Sequence, residues 1–314
     1  MGRIYMANLT PFALRGAFVA TFMNQYSGLP MAITGALSKK DSSIQRINET
    51  ASFFTAATLP GALDRHGAGF KAAAMVRLMH SIVRFNLMNH SRHWNRATHG
   101  IPIPQVDQMP AGTMPAFLNA FYVVRTGKKD FTRAQRATAE LCRYQSFLLG
   151  VPHDLLPDTP QAIFDVMVTY AATLRDGYDD ATCGEMVRAT MKAYRPADKR
   201  IRSRLYNQIE TSYSKVFFRR AFLRGGNQYK AAMMGVEPSR LDYMLFSATS
   251  FYILPRLAIN LRLQKVPVAG EVADIILIRR IKRLLKSYGH PEYITDVKDY
   301  KDGRSHRSTD HAAA

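Results

Sequence analysis

The chain has 314 residues, of which 47% are hydrophobic and 21% charged. These proportions suit a folded globular protein and exclude a disordered one. Lys and Arg total 43 against 24 Asp and Glu, a net charge of +19, which points to nucleic acid, an anionic membrane surface, or a basic pocket for an anionic ligand.

Arg15, the Asn24-Gln25 pair and Pro30 interrupt the apolar N-terminal stretch, so neither a spanning helix nor a signal peptide is expected there. A first helical region covers residues 9–38, broken near Gly28 and Pro30. KKDSS, 39–43, is a loop. SIQRINETASFFTAATL reads as a helix that Pro60-Gly61 stops, and GALDRHGAG as a turn. FKAAAMVRLMHSIVRFNLMN, 70–89, is the clearest helix, and its apolar content predicts burial of most of its faces. The proline-rich HGIPIPQVDQMPAGTMP, 99–115, predicts a packed loop. Helices are expected at 116–125, 131–149, 158–175 and 179–194, with Asp158 or Thr159 capping the third of these.

Residues 199–226 read as a basic helix, and 236–264 as a helix kinked or broken at Pro255. EVADIILIRRIKRLLKSYG, 271–289, is amphipathic. Ile275, Ile278, Ile281 and Leu285 form its apolar stripe, flanked by Arg279, Arg280, Lys282, Arg283 and Lys286. The last stretch, 296–314, is polar and without periodicity, so disorder is expected. The pattern is all-α. It divides into an N-terminal helical region (1–43) packed on a larger helical domain (44–290) and a flexible polar tail (291–314).

The two cysteines, Cys142 and Cys183, form no CxxC pair, which excludes a disulfide framework and a Cys-rich zinc site and agrees with a reducing, cytoplasmic setting. No GxSxG, GxGxxG, GxxxxGK[ST] or HExxH is present. The histidines are scattered, and the pair His90 and His93 gives little support to a zinc or non-haem iron site.

Two constellations remain. In RLMHSIVRF, 77–85, Arg77, His80 and Arg84 share one helical face. A lone histidine on an apolar helix is more often a satisfied core residue than a ligand, and both arginines equally suit ion pairs with neighbouring helices. The other reading is haem, which needs one imidazole in an apolar slot and has two carboxylates that cations satisfy. In RINET, 46–50, Arg46, Glu49 and Thr50 also share a face. Buried, they make a polar site that orients an oxidant or moves a proton. Exposed, they are an intrahelical ion pair worth about 0.3–0.5 kcal/mol.

The order RxxxT, about thirty residues, then VRLMHxxVR resembles the oxygenase family of bacterial latex-clearing proteins and fungal MpaB-type oxygenases. GIPIPQVDQMPAGTMPAF (Gln105, Asp107, Thr113), LLGVPHDLLPDTPQAI and RRAFLRGGNQYKAAMMGVEP resemble later elements of the family, so the likeness runs from about residue 44 to 285. It implies an all-helical oxygenase domain over 44–290 with a globin-like core that binds haem b. It makes His80 the proximal iron ligand and puts Arg46, Glu49 and Thr50 on the distal side, with Arg77 and Arg84 as cations for the haem. The implied partners are dioxygen and an alkene-bearing or lipid-like apolar substrate. Glu49 stands where latex-clearing proteins have a lysine, which argues against rubber and makes Glu49 a candidate general base.

The rival class is a non-enzymatic basic helical protein held on an anionic membrane through 271–289. The oxygenase reading is compatible with the same peripheral contact. Nucleic-acid binding ranks last, because no recognised module is present and the aromatics do not interleave with the basic residues.

Overall fold

The computed structural model describes residues 25–33, 49–104, 108–173, 184–193, 204–223, 229–263 and 265–288. The regular structure among the described residues is helical, with no strand among them, so the class is all-α. In chain order the helices are α1 (Gln25–Ile33), α2 (49–56), α3 (Ala68–His90), α4 (Arg96–His99), α5 (Gln108–Arg125), α6 (Arg133–Leu148), α7 (Pro160–Thr173), α8 (Glu185–Ala193), α9 (Arg204–Phe222), α10 (Tyr229–Met233), α11 (Arg240–Leu263) and α12 (Pro267–Ser287). The polar tail, the 39–43 loop, Arg46 and Cys183 lie outside the described residues.

The centre is built on α5, which packs against both α6 and α7. Ala116, Ala120 and Val123 of α5 meet Ala139 and Cys142 of α6 and Ile163 of α7. Small residues on α5 let the three backbones approach, and burial pushes the Cys142 thiol up to about 12, so it behaves as a small apolar side chain. On the other side of α5, Phe117 and Phe121 stack on Phe164 of α7. That layer continues through Met167, Met186, Met191, Phe218 and Met234, and Met31 and Ala32 of α1 pack on it. Fully burying a side chain such as Phe218 contributes about 1.5–3 kcal/mol.

Local chemistry explains the helix starts. Thr132 and Gln135 form a reciprocal capping box at α6. At α7 the Thr159 hydroxyl accepts from the Ala162 N–H at 3.1 Å, so Thr159 rather than Asp158 is the cap, followed by Pro160 in the first turn. The Ser239 hydroxyl accepts from the Asp242 N–H at 3.2 Å, and the Asp242 carboxylate accepts from the Ser239 N–H at 2.8 Å. This box starts α11.

Prolines break less than the sequence suggests. α1 runs through Gly28 and Pro30, and α11 passes Pro255 without a break. α5 begins at Gln108, well before the expected residue 116, and takes in Pro110 and Pro115. Pro110 falls in the first turn, where backbone N–H groups have no helical partner anyway. The burial of Ala116, Phe117, Ala120 and Val123 offsets the bond lost at Pro115.

Two burial expectations are corrected. Among the described residues α3 buries Gly69, Ala72 and Ala73 at its Ala-rich start and Leu87 near its end; Leu78 and Phe85 are exposed. On α12 the buried stripe is Leu277, Ile281 and Leu285, which pack on Ala56 of α2, while Ile275 and Ile276 face outward.

Candidate active site

α2 and α3 form an antiparallel pair joined by the turn 57–67. Gly67 ends that turn in a space closed by backbone: a Cβ there would lie 2.4 Å from the carbonyl oxygens of Gly61 and Ala62. Two residues on, a Cβ on Gly69 would lie 3.0 Å from the Ala57 Cα, so glycine lets the two backbones touch. Farther from the turn, Phe53 and Phe54 of α2 cluster with Ala72, Ala73 and Val76 of α3, and with Leu149 after α6. This register sets the level of the next turn of each helix. Continued by one turn, this register carries Glu49 and Thr50 toward Val76 and Arg77, and His80 lies about one turn farther along α3. Glu49, Thr50 and His80 are all half-buried, and Arg77 is exposed.

Arg84 is engaged in a way the sequence did not show. Its Nε donates to the Pro102 carbonyl at 3.2 Å, and its Nη2 donates to the Ile103 carbonyl. Burial pushes this guanidinium below its ordinary value. Ile103 sits at φ +46°, a left-handed conformation that a β-branched residue adopts only under strain. Arg84 thus ties the strained 100–104 loop to the helix of His80. Trp94 adds a second tie, its Nε1 donating to the Gly100 carbonyl at 3.1 Å. Gln105 and Asp107 lie outside the described residues, as does the side chain of Thr113.

The residues fit a haem by their chemistry. An imidazole is held half-buried on an apolar helix, with a cation one turn away on the same face at Arg77, while Leu78 and Phe85 are exposed on another face of the helix. One protein imidazole is enough for haem iron, so no larger ligand cluster is needed.

The sequence reading also missed a buried polar node. Asp242 accepts from the Ser212 hydroxyl at 2.5 Å as well as from Ser239. Burial opposes its ionisation, but the hydrogen bonds from Ser212 and Ser239, helped by the charge of Lys215, outweigh it and hold the carboxyl below its usual range. The Ser-x-x-Asp spacing signals the cap; nothing local signals Ser212, thirty residues away.

The class of protein follows from this scaffold: an all-helical catalytic domain whose two motif-bearing helices pair beside a histidine. Residues 5–258 match the family described as "ER-bound oxygenase mpaB/B'/Rubber oxygenase, catalytic domain", and the chain belongs to that family. It is an oxygenase, an oxidoreductase that acts on a small molecule with dioxygen. No curated relative and no solved structure matches it. Among the described residues, α11 is long and apolar enough to cross a membrane, which together with the family's description is compatible with membrane association.

Proposed function

We propose that the protein is a haem b-dependent oxygenase of an apolar, alkene-bearing or lipid-like substrate smaller than rubber, with His80 as proximal iron ligand. The observation that supports this reading is that Glu49 and His80 stand on α2 and α3, two helices that pack together through Phe53, Phe54, Ala72 and Ala73, in a chain of this oxygenase family. Haem, when bound, supplies the dioxygen chemistry. His80 contributes the neutral nitrogen that holds the iron. Arg77, exposed on the same face, pairs with a haem carboxylate. Arg84 is spent on the 100–104 loop, and so orients the His80 helix instead of reaching the haem. By the family resemblance, Arg46, Glu49 and Thr50 would supply the polar groups on the distal side. Glu49 takes or returns a proton at its carboxylate, and the Thr50 hydroxyl orients the oxidant. The catalytic unit is residues 44–290, with 1–43 packed against it and 291–314 as a tail.

The test is dioxygen uptake by haem-loaded protein given a terpenoid alkene. Glu49→Gln is expected to keep the haem and lose roughly a hundredfold or more in uptake, on the order of a general base's contribution. Unchanged uptake would remove the base role.

Membrane contact is a second element of the reading. It is favoured by Arg279, Lys282, Arg283 and Lys286, exposed together on the C-terminal half of α12. An anionic bilayer on the cytoplasmic side suits that face.

A further inference from the structure

A cavity of about 530 Å³ lies between α11 and the start of α12. Its volume is that of a site for one small ligand. Its walls are aliphatic, with Leu263, Val266, Val272 and Ile276 among them, and its polar groups are Arg256, Asn260 and Arg280. Of these residues only Arg256 falls within the stretch that matches the oxygenase family, which ends at 258. None belongs to the His80 and Glu49 set.

The two arginines are the informative feature. Arg256 donates from Nη1 to the Tyr252 hydroxyl at 2.9 Å and lies over that ring. Among the described residues neither guanidinium has a carboxylate partner. Burial pushes Arg280 below its ordinary value, and the charge of Arg256 adds to the push. A desolvated cation facing a like charge is costly until an anion sits beside it. Valine and isoleucine side chains meanwhile stand exposed along the same wall, Val268 at 75% and Ile276 at 56%. Apolar walls beside paired cations are complementary to a chain with a charged end.

We propose that this cavity binds a fatty carboxylate, its chain along Leu263, Val272 and Ile276 and its head on Arg256 and Arg280. The site is independent of the haem reading, and its test needs no activity.

Calorimetric titration of the full chain with dodecanoate below its micellar concentration, alongside dodecanol, reads it directly. Dodecanoate is expected to bind at least tenfold more tightly than the alcohol. Arg280→Gln and, separately, the more exposed Arg256→Gln are each expected to lose about tenfold for the acid and little for the alcohol. Val272→Trp, which fills the cavity, is expected to abolish binding of both. Equal affinity for acid and alcohol would overturn the proposal, as would unchanged binding in both arginine variants. Capture by anionic vesicles without any binding of dispersed dodecanoate would also overturn it, in favour of a bilayer-docking face. A haem spectrum unchanged by dodecanoate keeps failure here apart from failure of the oxygenase reading.

Discussion

Arg84 and Ile103 show how single residues shape the site. The guanidinium holds the carbonyls of Pro102 and Ile103 while Ile103 sits at φ +46°. Arg84→Ala removes both donors and releases a strained loop, so a loss of about 1–3 kcal/mol in urea unfolding is expected. Loss of haem affinity in the same variant would follow from a displaced His80 helix. Gly67→Ala places a methyl 2.4 Å from two carbonyl oxygens; it is expected to cost about 1–3 kcal/mol in the same assay. Asp242 gives a pH dependence. Its carboxyl is held below the usual range, so its stabilisation is present above the ordinary carboxylate value of about 3.9 and is lost as pH falls through the lower, folded value. Asp242→Asn is expected to lower the melting temperature at neutral pH, and to flatten the acid limb that begins below the ordinary carboxylate value. A parallel acid limb in wild type and variant would contradict this.

The helices divide sharply in how much of them the sequence made legible. The α2 and α3 motifs were readable because each repeats its chemistry at three- and four-residue spacing, and their pairing follows from Gly69 and the short turn between them. The Thr159 cap was readable for the same local reason. What depends on distant packing was not. α5 starts before Pro110 and Pro115 because its buried face meets α6 and α7, and a proline rule sees only the backbone. On α12 the expected stripe had the right end and the wrong start. Ile281 and Leu285 are buried as read, whereas Ile275 is 50% exposed because α2 meets the helix at Leu277. α3 was read as buried on most faces, yet Leu78 and Phe85 are exposed. Apolar composition shows that a helix can be buried, not which of its faces meets another helix.

At the scale of the whole molecule, the net charge of +19 finds two uses. One is the exposed basic row of α12; the other is half-buried Arg280 with exposed Arg256 beside an aliphatic cavity. The first predicts that the protein pellets with anionic vesicles and is released as salt rises past about 0.15 M, where screening shortens to roughly 8 Å. Retention in high salt would mean that apolar insertion, not charge, holds it. The oxygenase family match and the paired helices give the molecule its central claim, a haem on His80. The most direct measurement is the visible spectrum of the haem-loaded protein beside that of His80→Ala. The account predicts an intense Soret band in the wild type that is lost in His80→Ala and partly restored by free imidazole. A folded His80→Ala protein with an unchanged Soret band would contradict it.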